Sequence, residues 1–387
     1  MKRIIASILT VILLAGMLVL ATGCSPSYIV TAKGEKQDIG YYSFYVHWQR
    51  DYFKALLQSS GYDLNSSLDN YYSQTETVRQ TIVSTAKSQY LSFLMVNMVF
   101  ENLGLTLPEE DTAAIRKVYD EEWIKTYGEK GMKNILKELG LKEEQFLELL
   151  SVERKSNAIV EYYYGPGGSL EITEQDKKEY FEKNYIRFKY VLLSKVDDDD
   201  DKLANETIEK LRTLASTIKT AVDGGEPIGK YIEAHSEDYN KITDKMTAQE
   251  KADAEAANKT AIEDGIICDQ KGVFNQTLYN YYGIAVNPDI VKKLNEMQNG
   301  ENAVVEVDNA IWVIQKCDRN EKESYYNDRA ESIYKDMYAA DFNNKYTQWM
   351  AELDYKFNEK ALAHLDPGNF SDLFSEVYKA EENTSSK

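Results

Sequence analysis

The sequence predicts an α+β fold that is mostly helical and contains one small sheet formed by distant parts of the chain. Residues 186–193 and the hairpin within 300–317 are rich in β-branched and aromatic residues, as strands are. Nearly all of the remaining pattern is helical. An aromatic and apolar stripe at helical spacing between residues 321 and 365 needs a partner face, which N-terminal helices would provide. We therefore expect a helical domain built from both ends of the chain, with a small α/β module inserted into it.

The inserted module and its boundaries follow from the order of the patterns. Between residues 186 and 317 the order is strand, helix, helix, strand, helix, strand, strand, interrupted by a charged, alanine-rich insertion at 241–264. Gly165-Pro-Gly-Gly168 is the clearest break before it. We predict an N-terminal helical domain, the inserted module, a C-terminal helical segment and a polar tail, at residues 24–185, 186–318, 319–365 and 366–387.

Length and charge exclude several classes of function. The 387 residues are enough for two domains and a sizeable core. The formal net charge is -19, and it becomes more negative without residues 1–23, whose only charged side chains are Lys2 and Arg3. An acidic surface repels nucleic acid and anionic lipid headgroups, so no nucleic-acid partner is expected. Solubility alone is the usual explanation for such a charge.

The N-terminus predicts export and lipid anchoring. Two basic residues precede an apolar run at 4–21, which is typical of a signal peptide spanning residues 1–23. A transmembrane anchor is the rival interpretation, but the run is short and lacks a stop-transfer flank. The small residues before Cys24 form a lipobox-like motif, with Ala21 at the usual leucine position. We expect a lipid on Cys24 to hold the protein at the outer face of a bacterial cytoplasmic membrane.

The cysteines and aspartates do not predict a metal site. Three cysteines exclude a disulfide scaffold, and the chain has no CxxC motif or Cys/His cluster, so neither a metal nor a cofactor is predicted. Cys268 and Cys317 either form a disulfide or remain free buried thiols. The five aspartates at 197–201 lack the interleaved glycine and distal glutamate of a calcium loop, which favours a solvated loop.

Four stretches of the sequence together resemble a known family. They are the first predicted strand at 186–193, the His-Ser-Glu-Asp sequence that ends at residue 238, Lys271-Gly-Val-Phe274, and 288–301 followed by 310–316. In order and spacing they resemble the PrsA-like and SurA-like extracytoplasmic foldases. The resemblance implies a helical chaperone domain that carries a parvulin-type peptidyl-prolyl isomerase module, with a four-stranded antiparallel sheet and flanking helices. It covers roughly residues 24–365 in architecture.

The resemblance also implies a set of site residues. Prolyl isomerisation needs an apolar pocket and a polar network around the rotating bond, because the twisted amide loses its resonance. Asp238 keeps the acidic member of the family's network, and the two family histidines fall on Tyr190 and Trp312. The pocket phenylalanine falls on Ile290 and the pocket methionine falls near Val286. The implied catalytic positions are therefore Asp238, Tyr190 and Trp312, and the implied binding positions are Val286 and Ile290.

Histidine content argues against efficient isomerisation. The chain contains only His47, His235 and His364, so neither family histidine is present. His235 lies near Asp238 in sequence but at a predicted helix end, which makes it a minor candidate. We therefore predict that the module is catalytically weak or inactive.

The leading functional prediction is a membrane-tethered chaperone that holds unfolded or translocating secreted proteins. Some of the 29 tyrosines would line its client surface, although most of them simply pack helices. Two alternatives stay open: an active isomerase that uses Asp238 and Tyr190 in a modified network, and a non-chaperone lipoprotein such as a solute-binding or assembly subunit. A solute binder is disfavoured because repeated βαβ lobes are missing. The sequence has no GxSxG motif and too few histidines for a hydrolase triad, and it leaves the identity of the clients and formation of a homodimer undecided.

Overall fold

The computed structural model describes residues 28–374, except Asp198, Asp200, Asp244 and 275–284. The chain divides into two compact units. Within the described residues, the first unit comprises 28–170 and 341–374, so it is built from both ends of the chain. The second unit comprises 171–340, and the two boundaries therefore enclose one continuous stretch of sequence.

The elements are as follows, in chain order. The N-terminal part contains β1 Val30–Ala32, β2 Glu35–Gln37, α1 Ile39–Ser59, α2 Leu64–Ser67, α3 Val78–Asn102, α4 Glu109–Val118, a π-helical turn Tyr119–Ile124, α5 Lys125–Leu139 and α6 Glu143–Tyr164. The middle part contains α7 Glu174–Asn184, β3 Tyr185–Ser194, α8 Asn205–Asp223, α9 Gly229–His235, α10 Ala248–Lys259, a π-helical turn Thr260–Asp264, β4 Ile266–Asp269, α11 Pro288–Glu296, β5 Asn302–Glu306, β6 Ala310–Cys317 and α12 Ser324–Asn327. The C-terminal part contains α13 Ala330–Glu352, β7 Tyr355–Phe357, α14 Glu359–His364 and a 3-10 turn Pro367–Asn369.

Helix α3 is the central helix of the first unit. Its side chains Ile82, Ala86 and Tyr90 are fully buried, as expected from the nearly continuous apolar pattern of residues 84–103. The helix begins at Val78, before this apolar stretch, because Thr77 caps it in a capping box with Gln80. The apolar pattern identified the buried part of the helix, and the capping residue determines where it starts.

A three-stranded antiparallel sheet joins the two ends of the chain. Strands β1 and β2 form a hairpin, whose turn places Lys33 and Gly34 at positive φ. Strand β7 pairs with the other edge of β1, with Val30 opposite Phe357. Strand β7 was not predicted from the sequence, because three residues are too few for a pattern.

The aromatic stripe of α13 packs where the sequence predicted. Phe342, Tyr346 and Trp349 contact the core formed by α3 and α6, and the hydroxyl of Tyr164 donates to Asp341 Oδ2 at 2.6 Å. N-terminal helices therefore provide the partner face that this stripe requires.

The predicted polar tail is wrong for residues 366–374, which pack against the core of the first unit. Phe374 is fully buried, and Phe370 and Leu373 are partly buried. The sequence suggested a tail because these apolar residues are isolated among polar ones, and only their tertiary contacts reveal burial. Residues 375–387 lie outside the described residues.

His47, under this C-terminal segment, should make stability depend on pH. It is almost fully buried, and burial first and Arg50 second lower its pKa to about 4. The unfolded chain would take up a proton below about pH 6.5. The free energy of unfolding should therefore fall as the pH falls from 6.5 to 4, by about 3 kcal/mol.

The measurement is urea unfolding at a series of pH values for wild type and His47→Gln. The difference in unfolding free energy between the two proteins isolates the histidine from other groups, such as Asp51, whose pKa is raised by burial. We expect the difference to change across pH 4 to 6.5 and to be flat above it. Parallel curves over the whole range would contradict the prediction.

The second unit contains a four-stranded antiparallel sheet in the order β4-β3-β6-β5. Its elements follow the predicted order, the predicted hairpin is formed by β5 and β6, and the predicted insertion contains helix α10. One face packs Phe188 and Ile314 against Ile290 of α11. The other face packs Val191 and Val313 against α8 and α9. Each strand alternates between these two cores, as expected for a sheet with both faces covered.

An aromatic cluster extends the second unit beyond the predicted module. Phe181 of α7 lies 5.4 Å from the ring of Tyr185 and 5.8 Å from that of Tyr326, measured between ring centroids. Ile333 of α13 is fully buried in the same cluster. These contacts place α7 and the first part of α13 in the second unit, which comprises residues 171–340. The module predicted from the sequence comprised only residues 186–318.

Arg187 is a fully buried charge at the edge of this cluster. Its Nη1 donates to the carbonyl oxygen of Asp318 at 2.8 Å and to the carboxylate of Glu321. Its Nε donates to the carbonyl oxygen of Asp264 at 2.6 Å. The guanidinium also lies 4.3 Å from the ring centroid of Tyr325. One side chain thus connects β3 with the turn before β4 and with the segment after β6.

The fold keeps Cys268 and Cys317 apart, and both are free thiols. Cys268 lies opposite Ile186 and Cys317 opposite Arg187, on strands that flank β3 on its two sides. Two strand spacings amount to about 9.6 Å. A disulfide requires Cα atoms closer than about 7 Å, so the alternative of a disulfide does not fit this fold.

The two thiols should therefore differ in reactivity. Burial raises the pKa of Cys268 to about 12 and also raises the pKa of the half-buried Cys317. In native residues 25–387, we expect a maleimide to label Cys317 slowly and Cys268 only after urea unfolding. Mass spectrometry would count the labels, and Cys317→Ser should abolish native labelling. A disulfide in the non-reduced mass spectrum would contradict this prediction.

Candidate functional site

An extended segment beside β3 positions Asp238. The chain leaves α9 at Ser236 and follows the part of β3 that β4 does not pair. The amide of Leu192 donates to Ser236 Oγ at 2.9 Å, and the amide of Glu237 donates to the carbonyl oxygen of Leu192 at 2.8 Å. These bonds fix the segment so that the next residue, Asp238, reaches Tyr190.

Tyr190 and Asp238 form a small polar network. The Tyr190 hydroxyl donates to one carboxylate oxygen of Asp238, and Ser236 Oγ donates to the other at 2.6 Å. Burial and the adjacent negative charge of Asp238 raise the pKa of Tyr190 well above its usual range. Tyr190 is therefore a neutral hydrogen-bond donor whose proton is already engaged.

A half-buried apolar row lies next to this network. Leu192, Trp312 and Val305 are directly opposite one another on three neighbouring strands, so their side chains share one face of the sheet. The ring of Trp312 lies 4.6 Å from that of Tyr190, with an interplanar angle of 36°. The structure therefore brings together all three predicted catalytic positions.

The two predicted binding positions belong to the core. Val286 is 5% exposed and Ile290 is 0% exposed, and both pack with Phe188 and Ile314. Direct contact between a ligand and Ile290 would require α11 to move. As placed, the two side chains support the sheet beneath the apolar row, and their role as pocket walls stays a prediction.

The chemistry available at this site is limited. His235 is exposed, and its ring stacks 6.4 Å from that of Tyr231 on the same helix. Neither Tyr190 nor Trp312 can exchange a proton near neutral pH as a histidine would. Within residues 28–374, apart from the stretches left undescribed, no group of three or more His, Cys, Asp or Glu side chains could hold a metal ion. The site can hold an apolar side chain next to a carboxylate.

A second candidate surface lies in the first unit, and the sequence analysis missed it. Five large side chains at one end of α1 are between 37% and 76% exposed: Tyr52, Leu56, Tyr62, Tyr71 and Tyr72. We call them the aromatic patch. Tyr52 and Leu56 are one turn apart on α1, and the ring of Tyr72 lies 4.9 Å from that of Phe53 between them.

An ordered loop presents Tyr71 and Tyr72, two of the four tyrosines of the patch. The amide of Tyr72 donates to the carbonyl oxygen of Glu76 at 2.9 Å. The amide of Val78 donates to the carbonyl oxygen of Asn70 at 3.0 Å. Arg79 Nε donates to Asp69 Oδ1 at 2.9 Å. Several large exposed apolar side chains in one region often mark a binding surface. The sequence signal was the Tyr71-Tyr72 pair in a polar loop, where neither helical nor strand spacing explains two aromatic residues.

Comparisons with known proteins found structures but no sequence relatives. No protein-family model and no curated protein match the chain. Among solved structures, the chain is similar to PrsA from Bacillus subtilis, with 14% identity, 74% of this chain and 92% of that chain covered, and a TM-score of 0.23. It is also similar to the foldase protein PrsA from Streptococcus pneumoniae str. Canada MDR_19A, with 12% identity, 80% and 98% covered, and a TM-score of 0.29. A third is the foldase protein PrsA from Lactococcus lactis, with 11% identity, 87% and 97% covered, and a TM-score of 0.27.

With TM-scores this low, the side chains of this chain must carry any statement about function. The predicted lipidation site, Cys24, lies outside the described residues. Within the part of the chain that the structure describes, none of the helices has the length and apolar character needed to cross a bilayer.

Proposed function

We propose that this chain is a chaperone that holds unfolded or translocating secreted proteins at the extracytoplasmic face of the membrane. The aromatic patch is the observation that carries this proposal. Tyrosine rings provide contact area at little cost in side-chain entropy, and their hydroxyls tolerate water when no client is bound. An exposed patch of this kind suits weak binding of many different unfolded segments.

The net charge and the N-terminal motif support the proposal that the protein acts as a soluble-surfaced chaperone anchored at the membrane. The net charge of -19 keeps a protein with exposed aromatic side chains from associating with itself. The signal-peptide pattern and the lipobox-like motif support a lipid anchor on Cys24. In a bacterial host, Cys24→Ser should move the protein from the membrane fraction to a soluble extracytoplasmic fraction.

The test is the refolding of an aggregation-prone protein whose slow phase is limited by proline isomerisation. With residues 25–387 added, we expect a higher refolding yield and an unchanged slow rate. The variant Tyr62→Ser/Tyr71→Ser/Tyr72→Ser should lose at least half of the gain in yield. A matched control, Tyr162→Ser/Tyr355→Ser, changes two exposed tyrosines outside the patch and should retain it.

Two outcomes would count against the proposal. If the patch variant protects as well as wild type, the patch is not the client surface. If wild type changes neither yield nor rate, the alternative of a non-chaperone lipoprotein becomes the leading one.

A divergent isomerase is the second candidate, favoured by the Tyr190–Asp238 network beside the apolar row. The same refolding experiment separates it from the holding function, because isomerisation accelerates the slow phase. We expect no acceleration, since Tyr190 already donates its proton to Asp238. Acceleration that Asp238→Ala abolishes and Glu237→Ala preserves would establish the isomerase instead.

A further inference from the structure

The C-terminal segment 366–374 lies in a cleft of the first unit in the manner of a bound peptide. We call this segment, Asp366-Pro-Gly-Asn-Phe-Ser-Asp-Leu-Phe374, the strap. Helix α1 forms one side of the cleft, and Trp123 of the π-helical turn contributes to its floor. The strap is the last part of the chain that the structure describes.

Two aromatic subsites hold the strap. Phe374 is fully buried, with its ring centroid 5.4 Å from that of Phe44 and 5.6 Å from those of Trp48 and Trp123. Phe370, four residues earlier, lies 4.3 Å from the ring of His47. The spacing of these subsites selects for two aromatic residues four positions apart.

Two buried charges hold the backbone of the strap. Arg50 Nε donates to the carbonyl oxygen of Pro367 at 3.0 Å, and its Nη1 donates to Asp372 Oδ1 at 2.7 Å. Asp51 Oδ2 accepts from the amides of Leu373 at 2.7 Å and Phe374 at 2.6 Å. Arg50 and Asp51 also pair with each other at 2.9 Å and are almost fully buried. Recognition of main-chain atoms does not depend on the side chains of the peptide.

The cleft has a basic rim in an acidic protein. Lys54 pairs with Asp372, and Arg79 pairs with Asp366. Arg79 also pairs with Asp69, in the loop that presents the aromatic patch, so the strap borders that loop. Ion pairs that are partly exposed contribute little stability, which keeps this end of the strap easy to release. The rim is complementary to carboxylates of a peptide such as those of the strap.

We propose that this cleft is a binding site for peptide segments that carry two aromatic residues four positions apart and a carboxylate between them. The strap is its resident ligand, and it competes with segments of the same chemistry from other chains. The proposal rests on the proposed chaperone function and deepens it, because a vacated cleft would extend the client surface that begins at the aromatic patch.

The test uses the peptide DPGNFSDLF, which reproduces the strap, with a fluorescent label at its N-terminus. Fluorescence anisotropy would measure its binding to residues 25–387 in two forms, wild type and Phe370→Ala/Phe374→Ala. The double variant weakens the resident ligand and leaves the cleft unchanged. We expect it to bind the peptide at least ten-fold more tightly than wild type does.

Two controls show whether binding occurs in the cleft. A peptide with both phenylalanines replaced by alanine should bind at least ten-fold more weakly to the double variant. Adding Trp48→Ala to the double variant should weaken binding of the original peptide to a similar extent, because Trp48 lines the Phe374 subsite. Equal binding by wild type and a folded double variant would overturn the proposal.

The double variant could also unfold, and the peptide then provides the test. If circular dichroism shows that its helices are lost, adding the peptide at high concentration should restore the signal and raise the thermal midpoint. Failure to restore either would overturn the proposal, because a cleft that accepts the segment only when it is covalently attached is not a binding site.

Aggregation measurements separate this inference from the proposed function. If the peptide binds the double variant but no form of the chain suppresses client aggregation, the cleft binds peptides and the chaperone proposal fails. If all forms suppress aggregation equally and the peptide does not bind, the chaperone proposal stands and the inference about the cleft fails.

Discussion

Arg187→Ala should lower the free energy of unfolding of the second unit by about 1 to 3 kcal/mol. The substitution leaves the partly buried carbonyl oxygens of Asp264 and Asp318 without this donor, and it removes the cation above the ring of Tyr325. Unpaired buried polar groups carry the full cost of desolvation. Arg187→Lys should recover only part of the loss, since a lysine cannot donate in several directions from one planar group.

Hydrogen exchange measured by mass spectrometry would locate this effect. Protection should decrease in β3, β4 and β6, while the helices of the first unit keep theirs. Arg212→Ala is the matched control, because Arg212 forms exposed ion pairs with Glu209 and Glu306. Its expected cost is below about 1 kcal/mol. Equal costs for Arg187→Ala and Arg212→Ala would show that the buried network is not stabilising.

Phe146→Ala should destabilise the first unit by about 3 to 5 kcal/mol. Its side chain is fully buried, with ring centroids 4.9 Å from Trp123, 5.7 Å from Phe44 and 6.0 Å from Tyr119. The substitution removes these contacts and leaves a cavity between rigid rings, which cannot collapse to fill it.

Urea unfolding followed by tryptophan fluorescence would measure this loss, since Trp123 reports directly on the cavity. Tyr162→Ala on the same helix is the control, because its side chain is exposed and should change the unfolding free energy by less than about 0.5 kcal/mol. A loss below 1 kcal/mol for Phe146→Ala would indicate that the core relaxes around the missing ring, contrary to this account.

The strong local patterns of the sequence were sufficient for the main elements of the fold. Strand β3, the β5–β6 hairpin and helix α3 all carry long runs of apolar or β-branched residues, so their type did not depend on context. Strand β7 has three residues and exists because β1 offers it an edge. The extent of the second unit depends on aromatic contacts between distant residues, such as Phe181 and Tyr326, which no local pattern reveals.

For the candidate sites as well, local sequence patterns were informative, and features that depend on tertiary contacts were not predicted. The resemblance of the sequence to a known family implied Tyr190, Asp238 and Trp312 as site residues, and these side chains do lie together. The burial of Ile290 could not be predicted in the same way, because it depends on how α11 packs against the sheet. The aromatic patch and the strap were missed for the converse reason, since exposure of a tyrosine or burial of Phe374 is decided by neighbours far away in sequence.

The pairing of β1 with β7 sets an order for folding during synthesis of the chain. Thr31 lies opposite Lys356, so this sheet closes a loop of more than three hundred residues, whereas the second unit is one continuous stretch. A chain that emerges from its N-terminus during synthesis can complete the second unit first, because its contacts are available earlier. The first unit has to wait, with one edge of β1 unpaired, until residue 357 has emerged. For most of its own synthesis this protein is therefore an incompletely folded chain.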